Sequence, residues 1–186
     1  MYMRHEIATL SREVLATEIP SGTKSILPQG AQVTLMQSLG GSYTVLTDEG
    51  RMVRIDGKDG DAMGEKFVAK SELPLEPSAP DAPFNEENVW EELRTVFDPE
   101  IPVNIVDLGL VYVCKAVELP EGGRRVEIKM TMTAPGCGMG DVLMQDVRKK
   151  VMAVPGVKEA DVEVVWEPAW DASRMSDAAR LQLGWM

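Results

Sequence analysis

Hydrophobic and polar positions change their spacing at about residue 84. Before it, short β-prone runs (Gln32 to Gln37, Tyr43 to Thr47, Met52 to Ile55) are separated by Gly40-Gly41, Asp48-Glu49-Gly50 and Lys58-Asp59-Gly60. This spacing predicts a small antiparallel β-domain over about Ile26 to Val68. At roughly 50 residues such a domain is marginal alone and is expected to pack on the second half or on a partner. Met1 to Leu15 alternates charged and apolar residues without an apolar block. From Leu73 to Pro83, four prolines (Pro74, Pro77, Pro80, Pro83) predict an extended connector. The expected division is a β-rich domain at 1–72, a linker at 73–83 and an α/β domain at 84–186.

Beyond the linker the spacing becomes helical. Asn85 is placed to cap a helix whose inner face carries Val89, Leu93, Val96 and Phe97 and which stops before Pro99. Leu108 to Val117 reads as a buried strand. Val126, Ile128, Met130 and Met132 alternate with Glu127, Lys129, Thr131 and Thr133, predicting a half-buried strand hairpinned to the first through Gly122-Gly123. A loop, Gly136-Cys137-Gly138-Met139-Gly140, leads into a helix with Leu143, Val147, the Lys150 stem and Val151 inward, ended by Pro155-Gly156. Ala160, Val162, Val164 and Trp166 predict a third strand, joined by a right-handed crossover. Ser176 and Gly184 bracket a short last helix. The expected fold is α+β: a small β-rich, barrel-like N-terminal domain, then an α-β-β-α-β domain with a mixed three-stranded sheet and a helical tail.

Composition narrows the function classes. The chain has 186 residues, 44% of them hydrophobic, enough for one medium or two small cores. Its 19 Lys and Arg against 30 Asp and Glu leave a charge of -11, which repels phosphate backbones and anionic bilayers, so neither nucleic acid nor membrane is an expected partner. No run of roughly 18 apolar residues occurs, and a cytoplasmic location is expected. Two cysteines, Cys114 and Cys137, and the single His5 cannot close an N/S-ligated zinc or cluster site within one chain. Both thiols are expected to be reduced.

The concentrated chemistry is at Cys137. Glycines at 136, 138 and 140 strip the loop of side-chain cover, and the following helix N-terminus favours a thiolate, against which the carboxylate of Asp141 works. The competing reading is a turn in which Cys is merely small. Cys114 alternates with Leu110, Tyr112 and Ala116 and is expected in the core. Asp98-Pro99-Glu100-Ile101-Pro102 and Asp107 set carboxylates in a rigid loop. From the residues alone, two readings stay open: Asp98 or Glu100 orients or deprotonates the thiol, or Asp98 makes a turn and Glu100 is solvated. Thr133 either hydrogen-bonds the thiolate or simply ends a strand. Two look-alikes fail: Asp141 stands where GxGxxG needs its third glycine, and Lys58 spoils a calcium loop over Asp56 to Asp61, which is read as a turn. His5 is expected to be solvated.

Asp98-Pro99-Glu100, then Asp107-Leu108-Gly109-Leu110-Val111-Tyr112, then Thr131-Met132-Thr133-Ala134-Pro135-Gly136-Cys137 closely resemble the domain of SufT-like and PaaD-like proteins that assist iron-sulfur protein maturation. The resemblance covers about Phe84 to Trp170. The tail, from Trp166-Glu167-Pro168-Ala169-Trp170 to Leu183-Gly184, also looks like that family, and Gln37 to Tyr43 is similar to the N-terminal extension of bacterial SufT proteins. The resemblance implies a non-enzymatic accessory factor in which Cys137 is the reactive, cluster- or iron-contacting residue, supported by Asp98, Glu100, Thr133, Gly136 and Gly138. It also implies an iron-sulfur cluster or iron held only in passing, partners in the assembly machinery and among apo-client proteins, and self-association into a homo-oligomer. A thiol-dependent transferase or peroxidase using Cys137 lacks a nearby His or resolving cysteine. A scaffold in which the thiol is incidental is the third class.

Overall fold

A computed structural model describes residues 6–68, 83–134 and 138–185. His5, most of the expected linker, Gly136 and Cys137 lie outside the described residues. The chain divides into two compact units, Met1–Pro74 and Leu75–Met186.

The first unit is one six-stranded sheet with every pairing antiparallel: β1 (Glu6–Thr9), β2 (Val14–Glu18), β3 (Lys24–Leu27), β4 (Gln32–Leu39), β5 (Ser42–Thr47) and β6 (Met52–Asp56), in the order β1-β4-β5-β6-β2-β3. The three expected strands are present as β4, β5 and β6, but the sheet starts well before Ile26. β1, β2 and β3 are four or five residues long, and burial rather than polarity alternates along them, with Ala8, Val14, Ala16 and Leu27 turned into the core and Ile7, Leu15 and Ile26 exposed. The Asp-rich stretch after β6 is a 3₁₀ turn, Gly57–Met63, rather than a cation loop. Two of its acids, Asp59 and Asp61, are ion-paired to Arg12 at 3.0 and 2.6 Å.

In the second unit, α1 (Glu86–Leu93) is capped by the Asn85 side chain, which accepts from the Glu87 amide. It precedes the hairpin of β7 (Val111–Glu118) and β8 (Arg124–Met130), then α2 (Gly140–Met152), β9 (Val157–Val164) and α3 (Asp177–Leu183). β8 is central, antiparallel to β7 and parallel to β9, so the sheet is mixed. Gly122 and Gly123 turn the hairpin at φ of 83° and 86°, values only glycine adopts cheaply. Val126, Ile128, Met130 and Val162 face α1 and α2 and form one core with Val89, Leu93, Leu143, Val147 and Val151. Each such side chain contributes about 1.5–3 kcal/mol on burial. The opposite face is charged, with Arg125 3.1 Å from Glu127 and Lys129 3.3 Å from Glu163.

Three sequence expectations are corrected. α1 ends at Leu93, and Val96 and Phe97 lie beyond it, because the chain turns out of the helix and pairs Phe97 with Asn104. β7 begins at Val111 rather than Leu108 and is a half-buried edge strand, because Leu108 to Leu110 turn through Gly109 at φ 70° before pairing begins. Trp166 lies past the end of β9 and is exposed, because the chain leaves the sheet after Val164.

Candidate functional site

The segment from Asp98 to Leu110 has neither helix nor strand, and its shape is set by short local bonds. Asp98 is only 3% exposed, and its Oδ1 accepts from the amides of Glu100 and Ile101, both at 2.9 Å. This is an aspartate-initiated turn, stiffened by Pro99 and Pro102. Asn104 and Asp107 close a second turn: Asn104 Nδ2 donates to Asp107 Oδ2 at 2.6 Å, and the Asp107 amide donates to Asn104 Oδ1 at 2.8 Å. Amide-to-carbonyl bonds from Ile105 to Val96 and from Leu110 to Ile105, each 2.9 Å, tie the segment to itself.

Burial raises the Asp98 carboxyl pKa above its ordinary value, against the opposing effect of the Ile101 and Glu100 amides, which favour the ionised form. Glu100, two residues on, is exposed. The two acids of this motif therefore have different environments: one is desolvated and held, the other solvated.

This segment meets the end of β8 where the Thr131 amide donates to the Leu110 carbonyl at 2.9 Å. Thr131 and Met132 are buried and Thr133 is half-buried. Val103, Ile105, Leu108 and Leu110 from one side and Met130 and Met132 from the other belong to a single apolar cluster, so the segments bearing Asp98 and Thr133 share one foundation. Gly138 is exposed, Met139 is buried, and α2 starts at Gly140 with the Leu143 amide on the Met139 carbonyl at 2.9 Å. Thr133 thus lies just past the end of the mixed sheet's central strand, and Gly138 just before the start of α2.

Cys114 is half-buried on the inner face of β7, and burial together with the Glu86 charge pushes its thiol up to about 11. That thiol stays protonated near neutral pH. Among the described residues no group of three or more His, Cys, Asp or Glu side chains is arranged to hold a metal ion, and no helix is long and apolar enough to cross a membrane.

The structure adds residues that motif reading left without a role. Trp170 Nε1 donates to the Leu108 carbonyl at 2.8 Å, and Gln182 Nε2 donates to the Pro102 carbonyl at 2.8 Å, so the tail is fastened to the Asp98 segment. The advance signals were the tail's resemblance to the family and the Ser176 and Gly184 caps, neither of which says that Trp170 and Gln182 reach this segment.

Residues 86–164 match the family model described as iron-sulfur cluster assembly protein, a span lying wholly in the second unit. A Fe-S protein maturation auxiliary factor of Porphyromonas gingivalis is 46% identical over 101 residues, covering 54% of this chain and 92% of that protein. The Fe-S protein maturation auxiliary factor YitW of Bacillus subtilis is 40% identical over 98 residues, covering 53% and 92%. The Fe-S protein maturation auxiliary factor SufT of Staphylococcus aureus is 37% identical over 89 residues, covering 48% and 97%. The matched class is therefore that of assembly proteins, and these three relatives carry the names of auxiliary factors rather than of enzymes. Within that class, the chain belongs to the SufT-like family of iron-sulfur cluster assembly proteins.

Proposed function

We propose that this protein is a non-enzymatic accessory factor that helps assemble iron-sulfur clusters or deliver them to client proteins, and that it acts through the thiol of Cys137. The observation that carries the reading is the match over 86–164, which contains the Asp98 segment, Thr133 and Cys137 in one span. Support comes from the contrast between the two cysteines. Burial and the Glu86 charge raise the Cys114 thiol pKa, whereas the residues flanking Cys137 are glycines, which carry no side chain of their own.

A cluster is cargo here rather than a resident group. One thiolate fills one iron coordination position, so the remaining ligands come from a second protomer, a small thiol or the client. Transfer is ligand exchange: the Cys137 thiolate binds an iron as the donor's ligand leaves, and a client thiolate then displaces it. No electron moves, and the proton released when Cys137 ionises returns when it is displaced. Asp98 is assigned the acceptor role for that proton, since a buried carboxyl with a raised pKa holds a proton more readily than a solvated one. Glu100 and Thr133 are assigned to orientation, and Gly136 and Gly138 to backbone access.

The six-stranded unit, which we take to be barrel-like and to end at about residue 72, is assigned to docking a partner. A 73–83 linker, a cytoplasmic location and a homo-oligomer complete the proposal. The test is anaerobic reconstitution with iron and sulfide, read by visible absorbance and iron per protomer, on wild type, Cys137→Ser and Cys114→Ser. Loss of signal in Cys137→Ser alone supports the proposal; equal loading of wild type and Cys137→Ser overturns it.

A further inference from the structure

The tail that follows β9 lies beyond the matched span, and it makes a series of contacts with the segment that carries Asp98. Three donors of the tail reach three carbonyls of that segment, each at 2.8 Å: Trp170 Nε1 to Leu108, the Ser176 amide to Asp107, and Gln182 Nε2 to Pro102. Tyr112 is gripped twice, its hydroxyl donating to the Pro168 carbonyl at 2.9 Å and its ring lying 4.5 Å from the Arg174 guanidinium. Gly109 is the closest approach. A Cβ built there would stand 2.2 Å from the Arg174 carbonyl oxygen, so the tail backbone occupies the space a side chain would need. Ser176 and Gly184 cap α3 at both ends, which fixes the register that brings Gln182 onto Pro102.

An irregular segment has no ladder of its own to satisfy its carbonyls, and each must find a donor from elsewhere or from water. Here the tail supplies those donors, at positions that bracket the turns formed by Asn104 and Asp107. We propose that residues 166–185 are a positioning strap for the Asp98 segment, with Trp170 and Gln182 as positioning residues that hold it without touching the cargo themselves. The inference rests on the proposed function for its purpose, but the mechanical link stands on the contacts alone.

The test uses the full-length chain with Trp170→Phe, which keeps the ring and removes the donor, alone and combined with Gln182→Leu. Hydrogen exchange resolved by residue is measured beside cluster transfer to an apo-protein, with Cys137→Ser as the reference for the functional reading. The strap predicts exchange faster by about tenfold per lost bond at the amides of Glu100, Ile101 and Ile105. It further predicts unchanged exchange in β8 and α2, and slower transfer. Unchanged exchange at those amides overturns the strap, as does an equal rise through β8 and α2, which marks general loosening. Faster local exchange with transfer at the wild-type rate, while Cys137→Ser abolishes transfer, overturns the positioning role. Full transfer by Cys137→Ser overturns the functional reading instead, and the exchange result still decides the strap.

Discussion

At the scale of single residues, the account depends on environment separating chemically identical groups. The Cys114 thiol, pushed up to about 11, is about one part in a thousand ionised at pH 8. Iodoacetamide at that pH is therefore expected to label Cys137 first and to reach Cys114 only on unfolding, as peptide mapping with and without urea will report. Asp98 permits a second prediction. Its folded pKa lies above the unfolded value, so it favours the fold below the ordinary carboxylate pKa of about 3.9 and costs stability as pH rises through its folded pKa. Asp98→Asn keeps an acceptor for the Glu100 and Ile101 amides and removes that cost. Urea unfolding is expected to show the variant gaining on wild type as pH rises above about 4, while cluster transfer falls; a variant that loses ground as pH rises would refute a desolvated carboxyl. The sequence could place Asp98 before Pro99 and Glu100, but it left a turn and a role at the thiol as open alternatives. Its burial depends on how the following segment folds back, with the Asp98 amide on the Val103 carbonyl, and no local pattern carries that.

At the scale of elements, what was legible is what local chemistry dictates. Asn85 and Ser176 accept from the amides of Glu87 and Ala179, and Gly184 ends α3 at φ 71°, where the sequence expects caps. Ser176→Ala is expected to lower stability by about 1 kcal/mol by chemical denaturation, with no change in β-sheet signal. The glycine pair after Leu119 marked the hairpin. What escaped was set by partners. β1 to β3 are too short to stand out, and each becomes a strand only because a neighbour pairs with it: β4 with β1, β6 with β2, and β2 with β3. The many apolar residues of β7 suggest a buried strand, yet it lies at the sheet edge, where Val113 remains exposed.

At the scale of the whole molecule, the two units have separate apolar cores with no residue in common. A cavity in one is therefore expected to be felt there. Leu143→Ala should cost the second unit about 2–5 kcal/mol and leave amide protection around Ile55 unchanged; Ile55→Ala should do the reverse. Matching loss of protection in both units would show that they unfold as one. The iron-sulfur assembly match falls in the second unit, so it is there that the chemistry must be sought.

The proposal centres on the sulfur of Cys137 passing cluster to clients. The measurement that bears on it most directly is cluster occupancy of client proteins under iron limitation, in cells whose only copy of this protein carries Cys137→Ser. The account predicts depleted clients with normal client protein levels, and no depletion for Cys114→Ser. Full occupancy in the Cys137→Ser cells would contradict it.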